Sequence, residues 1–295
     1  MSNKVISFKN EMIQAEHRES KDEINMTIPR DATRVPAFSL EARALDIVAR
    51  DQPLYFGLKR IMDVVVAGVL LFILSPLMLL IAFAIVIYSP GPVFFVQERV
   101  GSRRKGRGKN FRWEQRNFRC FKFRTMHVNA DPSIHQAYVK ALIEKDEAQM
   151  QAVQEIATQP CKRSTPEQVL ASQHAPTRPR KLVDDKRVIR PGRILRKLSL
   201  DELPQFWNVL IGDMSLVGPR PAIPYEVEMY KPWHRLRLQA QPGITGLQQV
   251  TKRCIADFDE QVELDIEYIK NQSLWQDLKI AFKTPLAIIM ARGAH

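Results

Sequence analysis

Apolar positions are unevenly spread along this chain, and the longest run of them sets the frame for the rest. IMDVVVAGVLLFILSPLMLLIAFAIVIY, Ile61 to Tyr88, is 28 residues with one charge, Asp63. About 20 apolar residues are enough to cross a bilayer, so the pattern predicts a helix in lipid. Ser75-Pro76 falls near its middle, where proline removes a backbone donor and crowds the preceding turn. Two short helices meeting at a bend and one kinked rod are equal alternatives, and a Ser hydroxyl can take up a freed carbonyl in either. Lys59 and Arg60 precede the run, and Arg99, Arg103, Arg104 and Lys105 follow it. Positive charge marks the cytoplasmic side. A helix that enters and leaves by one face satisfies both flanks; a spanning helix would usually be asymmetric.

Outside this run the periodicity changes from segment to segment. Residues 1–50 are polar and read as a mobile tail, with an amphipathic stretch from Ser39 to Asp51 that could rest on lipid. Pro92–Arg99 and Phe118–Met126 alternate as strands joined by a long basic loop. His135–Ala157 reads as a solvent-facing helix, followed by a Pro/Ser/Thr-rich loop to which no chemistry is assigned. Pro191-Gly192 reads as a turn. Ser199 to Glu202 fits a capping box, starting a helix through Phe206, Trp207, Val209 and Leu210 that ends at Gly212. QPGITGLQQVTKR is strand-like despite two glycines. Asp257–Asn271 is helical, with Asp265 on or beside its apolar face, which calls for a partner. In residues 273–290, Trp275, Leu278, Phe282 and Leu286 alternate with Lys279 and Lys283, as in an interfacial helix or, equally, a core-packed one. The expected fold is α+β, predominantly helical, with a small β-hairpin, a re-entrant membrane helix and interfacial helices. Its divisions are a tail (1–50), a membrane anchor (51–91) and a catalytic domain (92–290) carrying a polar insert at about 132–180.

Charge narrows the partners. The formal net charge is +12 and the sequence pI is near 9.7, so a phosphorylated substrate, acidic lipid or nucleic acid is expected. Eleven of the cations lie between Gln97 and Thr125, against two acids. Following a membrane segment, they suit anionic headgroups better than nucleic acid, for which no aromatic stacking pattern is present. Cys120, Cys161 and Cys254 are too scattered for a zinc site or disulfide framework. The amino terminus lacks the apolar core of a signal peptide, leaving attachment to the internal segment.

The densest chemistry lies between Asp184 and Pro221. Asp201 and Glu202 could simply complement a helix dipole. Arg187, Arg190, Arg193, Arg196 and Lys197 crowd the approach to them, Arg220 is held between Pro219 and Pro221, and Asp213 and Ser215 follow the helix. Acids and cations converging on a helix start suit a phosphate and its metal. Neighbours on an α-helix point about 100° apart, so the two acids divide labour, one attacking phosphorus and the other holding metal.

The ordered set KRIMD (59–63), Ser75-Pro76, KFRTM (122–126), LRKLSLDELPQFWNVLIGDMSLVGPRP (195–221), PGITGLQQV (242–250) and ELDIEYIKN (263–271) resembles the bacterial sugar transferases, the monotopic polyprenyl-phosphate phosphoglycosyl transferases. It looks most like the exopolysaccharide-initiating hexose-1-phosphate transferases. The resemblance implies a re-entrant helix at Lys59, Arg60, Ser75 and Pro76, at the cytoplasmic face of a bacterial inner membrane. It also implies Mg²⁺-dependent transfer of sugar phosphate from a UDP-sugar to polyprenyl phosphate, alongside other glycan-assembly enzymes and without nucleic acid. By motif position Asp201 matches the nucleophile and Glu202 its partner, both candidate metal ligands. Arg196, Pro219, Arg220, Pro221, Arg253 and Asp265 match substrate-binding positions. Three departures stand out. Thr251-Lys252-Arg253 replaces Asn-Gly-Arg, which bears on sugar or lipid preference; the insert is long; the multi-spanning amino-terminal domain of larger members is absent. The rival reading is a non-catalytic, membrane-anchored module that binds anionic lipid or nucleotide.

Overall fold

The computed structural model describes residues 50–106, 108–130, 133–144, 146–158, 185–251 and 258–290. The expected tail (to residue 49), most of the amphipathic stretch before the membrane segment, and the Pro/Ser/Thr-rich part of the insert lie outside the described residues. What is described is α+β and mostly helical.

The apolar run forms α1, Pro53–Tyr88, a helix of 36 residues with proline in its first turn. It continues through Pro76 without dividing into two elements. Pro76 deprives the Phe72 carbonyl of its helical partner, and the Ser75 hydroxyl donates to that same carbonyl at 2.8 Å. One face is buried at Tyr55, Lys59, Asp63 and Ala67, four residues apart, and again at Ile81 and Ile85. The side chains between are apolar and open, Phe72 being 82% exposed.

β1 (Phe94–Lys105) and β2 (Arg112–Phe123) form an antiparallel hairpin in register from Phe94↔Phe123 to Lys105↔Arg112. The expected basic loop is therefore mostly ladder, which runs out to Lys105 on one strand and starts again at Arg112 on the other. Charged residues pair here because the tip is anchored. The Arg104 guanidinium lies 5.1 Å and 5.6 Å from the ring centres of Phe56 and Phe111, and it pairs with Asp51.

The single solvent-facing helix expected after residue 135 is two, α2 (Ser133–Glu144) and α3 (Glu147–Thr158). Asp146 divides them, its carboxylate accepting from the Gln149 amide at 3.0 Å, as an N-cap does. Nor does α2 face only solvent. Its Val139 and Ile143 join Val100, Tyr230, Leu238, Phe258 and Val262 in a core cluster.

Pro191 and Gly192 open α4 (Arg190–Lys197) instead of forming a turn. Proline suits a first helical turn, and any side chain at 192 would collide with the Thr125 carbonyl at the end of β2. A one-turn 3₁₀ helix, Leu200–Glu202, leads to α5 (Gln205–Ile211), which Gly212 ends at φ 91°. β3 (Ser215–Val217) pairs in parallel with β4 (Gly243–Thr245). The strand-like run around β4 is thus three residues, continued as α7 (Leu247–Thr251). Between β3 and α7 come α6 (Pro224–Glu228) and a 3₁₀ helix, Pro232–Leu238.

The last helices are α8 (Phe258–Lys270) and α9 (Leu274–Met290). Trp275, Phe282 and Leu286 on α9 are exposed while Asp277 and Ile280 are buried. Of the two readings of α9, the structure realises the open apolar face.

Candidate functional site

Asp201 and Glu202 sit where three elements meet. The capping box expected there does not form. An N-cap residue takes extended backbone angles, but Ser199 is left-handed at φ 56°, with no side-chain cap bond. Only Asn129 shares a positive φ among the described non-glycine residues. Such a conformation costs about 1–3 kcal/mol and concentrates at functional positions. The acids then lie on a 3₁₀ turn, where neighbours diverge by about 120° at three residues per turn. They diverge even more than on an α-helix.

β2 supplies the facing wall. Lys122 donates to Glu202 Oε1 at 2.9 Å. The wall is bolted in place by Asn208 on α5, fully buried, whose amide oxygen accepts from the Phe121 amide at 3.0 Å. Its amide nitrogen donates to the Arg119 carbonyl at 2.7 Å, so one side chain completes the outer edge of β2. From α1, Arg60 donates to the carbonyls of Val209 (2.6 Å) and Leu210 (2.8 Å), capping α5. Lys59 is buried too, donating to Asp277 at 2.7 Å and to the Val217 carbonyl at 3.0 Å. The basic pair before the membrane run is therefore spent on docking α1, not turned toward headgroups.

The Pro219-Arg220-Pro221 turn is held at every carbonyl but its own arginine's. Gly243 donates to Pro219 O at 2.8 Å and Val100 to Ala222 O at 2.8 Å. Arg99 Nη1 donates to Pro221 O at 2.9 Å. Arg220 itself is exposed. Burial pushes the Cys120 thiol up, opposed by the charges of Lys122, Arg99 and Arg220 and reinforced by Glu202. That one thiol, on β2, thus feels the charges of the acid turn and the Arg220 turn together. Burial and the like charge of Arg220 lower the Arg99 pKa.

Other expected residues fall elsewhere. Arg196 stands in the last turn of α4, where its charge helps hold Asp185 low; burial opposes this, and hydrogen bonds from Arg187 outweigh it. Asp265 is 1% exposed and takes Arg237 Nε at 3.0 Å and Nη2 at 2.6 Å. Its carboxylate is committed to the core. Arg253 lies outside the described residues. Asp213 pairs with Arg116. Lys122, Asn208 and Arg99 were missed as contributors. Lys122 lies in the quoted KFRTM, but pairing across 80 residues leaves no mark in a local pattern.

Mg²⁺ commonly takes one or two carboxylates and completes its shell with water and substrate phosphate. Two half-buried carboxylates on successive residues fit that donor set. Among the described residues no cluster of three metal-ligating side chains occurs, so an all-protein cage is not what the site offers. Chemically, the arrangement offers two adjacent carboxylates on one turn, with Lys122 fixed on Glu202 and Arg99 held to the neighbouring Pro221 carbonyl.

The family model for bacterial sugar transferases matches residues 54–291. The undecaprenyl-phosphate galactose phosphotransferase of Salmonella typhimurium is 37% identical over 238 residues, 81% of this chain and 42% of that protein. The exopolysaccharide production protein ExoY of Sinorhizobium fredii is 35% identical over 237 residues, covering 80% and 88%. The UDP-glucose:undecaprenyl-phosphate glucose-1-phosphate transferase of Caulobacter vibrioides is 36% identical over 248 residues, covering 80% and 72%. The chain thus spans under half of the Salmonella relative and most of ExoY.

Proposed function

The chain belongs to the bacterial sugar transferase family, and we propose that it moves a sugar 1-phosphate from a UDP-sugar to polyprenyl phosphate, releasing UMP, as a first step of surface-glycan synthesis. The names of its relatives support the reaction class. The observation that carries the site is that β2 holds Lys122 on Glu202 while β1, its ladder partner, holds the Arg220 turn through Arg99 and the Pro221 carbonyl.

In this reading Asp201 attacks the β-phosphorus of the UDP-sugar. A phosphorus–oxygen bond to the carboxylate forms as the bond to UMP breaks, and UMP leaves with the electron pair. An oxygen of polyprenyl phosphate then attacks the same phosphorus and the Asp201 carboxylate departs, so no net proton transfer is required. Lys122 and Glu202 hold each other across the turn, and Arg220 faces the phosphates. Mg²⁺ held by Asp201 and Glu202 would draw charge from the phosphoryl oxygens. Burial of both ends of α1 against the same body supports a non-spanning, monotopic attachment at the cytoplasmic face of an inner membrane.

The test is a burst. Enzyme given UDP-sugar and Mg²⁺ without acceptor should release at most one UMP per site. The Leu198–Phe206 peptide should gain a hexose phosphate that polyprenyl phosphate discharges. Asp201→Asn should abolish both signals. UMP release that strictly requires acceptor would overturn the covalent step. No UMP with any UDP-sugar would favour the non-catalytic binding module.

A further inference from the structure

The inserted helix α2 brings a histidine to the Arg220 side of the molecule. His135 Nδ1 lies 2.7 Å from the Tyr225 hydroxyl, and its Nε2 makes no hydrogen bond among the described residues. The charges acting on this ring are those of Arg220, Arg99, Glu226 and Arg187. Two of the four are already matched. Arg187 pairs with Asp185 through Nε at 2.9 Å and Nη2 at 2.7 Å. Glu226 accepts from Tyr230 at 2.6 Å and stands 3.6 Å from Arg237.

Arg99 and Arg220 are left over. Arg99 is 5% exposed, its Nε has no acceptor, and its two other contacts are the neutral oxygens of Pro221 and Gln97. No carboxylate among the described residues pairs with either arginine. A guanidinium removed from water without a counter-ion is disfavoured, and a second cation beside it adds repulsion. A ligand that carries negative charge relieves both.

We propose that Arg99, Arg220, His135 and Tyr225 form a phosphate-binding subsite, in which Tyr225 donates to Nδ1 and the neutral imidazole donates Nε2–H to a phosphate oxygen. Arg99 acts partly as a positioning residue, through the Pro221 carbonyl, and partly by its charge. Burial, then Arg220 and Arg99, push the His135 pKa down to about 4. Burial likewise raises Tyr225 to about 12, so both rings are neutral donors near pH 7. The phosphate is either that of the nucleotide or that of the lipid acceptor; the reaction proposed above supplies only these two candidates, while the subsite rests on the geometry.

The full chain in detergent, with ¹³C-labelled histidine, tests this by NMR titration with UMP, a short isoprenyl phosphate and inorganic phosphate in separate arms. His135→Gln assigns the resonance. Bound phosphoester should raise the proton affinity of His135 by about tenfold, roughly one pKa unit, and the arm that responds identifies the source. His135→Phe should raise the KM for that substrate about tenfold with kcat unchanged, and His135→Gln, which keeps a donor, should restore it. A His135 titration unmoved in all arms overturns the subsite, as does a response to inorganic phosphate alone. A response to UMP in a protein that turns over no UDP-sugar keeps the subsite and removes the reaction. Normal turnover with an unresponsive His135 does the reverse.

Discussion

Asp265 and Asp201 are both acids that the family resemblance places at a site, and their surroundings separate them. Asp265 calls for a partner because it lies beside the apolar face of α8. That partner, Arg237, is 28 residues earlier on a 3₁₀ segment, and no local periodicity points to it. Breaking a buried pair by removing one member costs about 3–5 kcal/mol. Asp265→Ala should therefore lower unfolding free energy by about that amount in denaturant titration, while the KM of the folded fraction stays unchanged. Asp201, on a left-handed approach at Ser199, should respond oppositely: Asp201→Asn, which keeps the side chain's shape, should cost less unfolding free energy than Asp265→Ala and end the burst. His135 adds a pH signature. Its folded pKa, about 4, lies below the ordinary 6.5, so its contribution to stability is complete above pH 6.5 and fades as pH falls toward 4. His135→Gln should flatten the stability profile across that window, measured by thermal melts between pH 7 and 4.

At the scale of elements, the apolar run located α1, the stop at Gly212 located the end of α5, and helical periodicity located α8 and α9. The apolar pattern shortened the hairpin, because β1 and β2 pair through backbone groups whose side chains there are charged. It missed the break between α2 and α3, which one capping aspartate makes. It also left open what Lys59 and Arg60 meet. Flanking cations beside a membrane run look the same whether they meet lipid or protein, and only the fold shows them reaching Asp277 and the end of α5. Arg60 makes two charge-assisted bonds to the last carbonyls of α5, each worth about 1.5–3 kcal/mol. Arg60→Gln should destabilise the protein by about that amount. Because α5 carries Asn208, which registers β2 and Lys122 against the acid turn, the UMP burst should also slow. A melt shift with an unchanged burst rate would show that α5 does not set the turn.

For the molecule as a whole, the decisive quantity is the length of α1 left free of the catalytic body. Buried positions stop at Ala67 and resume at Ile81, leaving residues 68–80 with none buried. Thirteen residues rise about 20 Å at 1.5 Å each, short of the roughly 30 Å hydrocarbon core of a bilayer. Before and after this stretch, α1 packs on the same body. Ala67 lies with Phe118, Cys120, Val209 and Met214, and Ile81 and Ile85 lie with Phe123, Ile189 and Leu195. A spanning helix would have to drag one of those clusters into or across lipid. A helix that dips in around Ser75-Pro76 and returns keeps both clusters on one side of the lipid while presenting to it the largely apolar, open stretch from Val69 to Leu80, and the apolar face of α9 can rest on the same surface. The proposed topology therefore places Arg50 and Gln115 in one compartment; both are exposed, whereas Asp51 is engaged by Arg104. Cysteines introduced at these two positions, with Cys161 and Cys254 replaced by serine, should both resist an impermeant thiol reagent in intact bacteria and react after lysis. Labelling of one alone before lysis would establish a spanning helix. Pro76→Leu restores the missing donor and removes the ring clash, so it should shift part of the population toward one-sided labelling. Ser75→Ala, which leaves the Phe72 carbonyl unpaired in lipid, should instead lower the amount of protein recovered in the membrane while leaving the labelling pattern as it was.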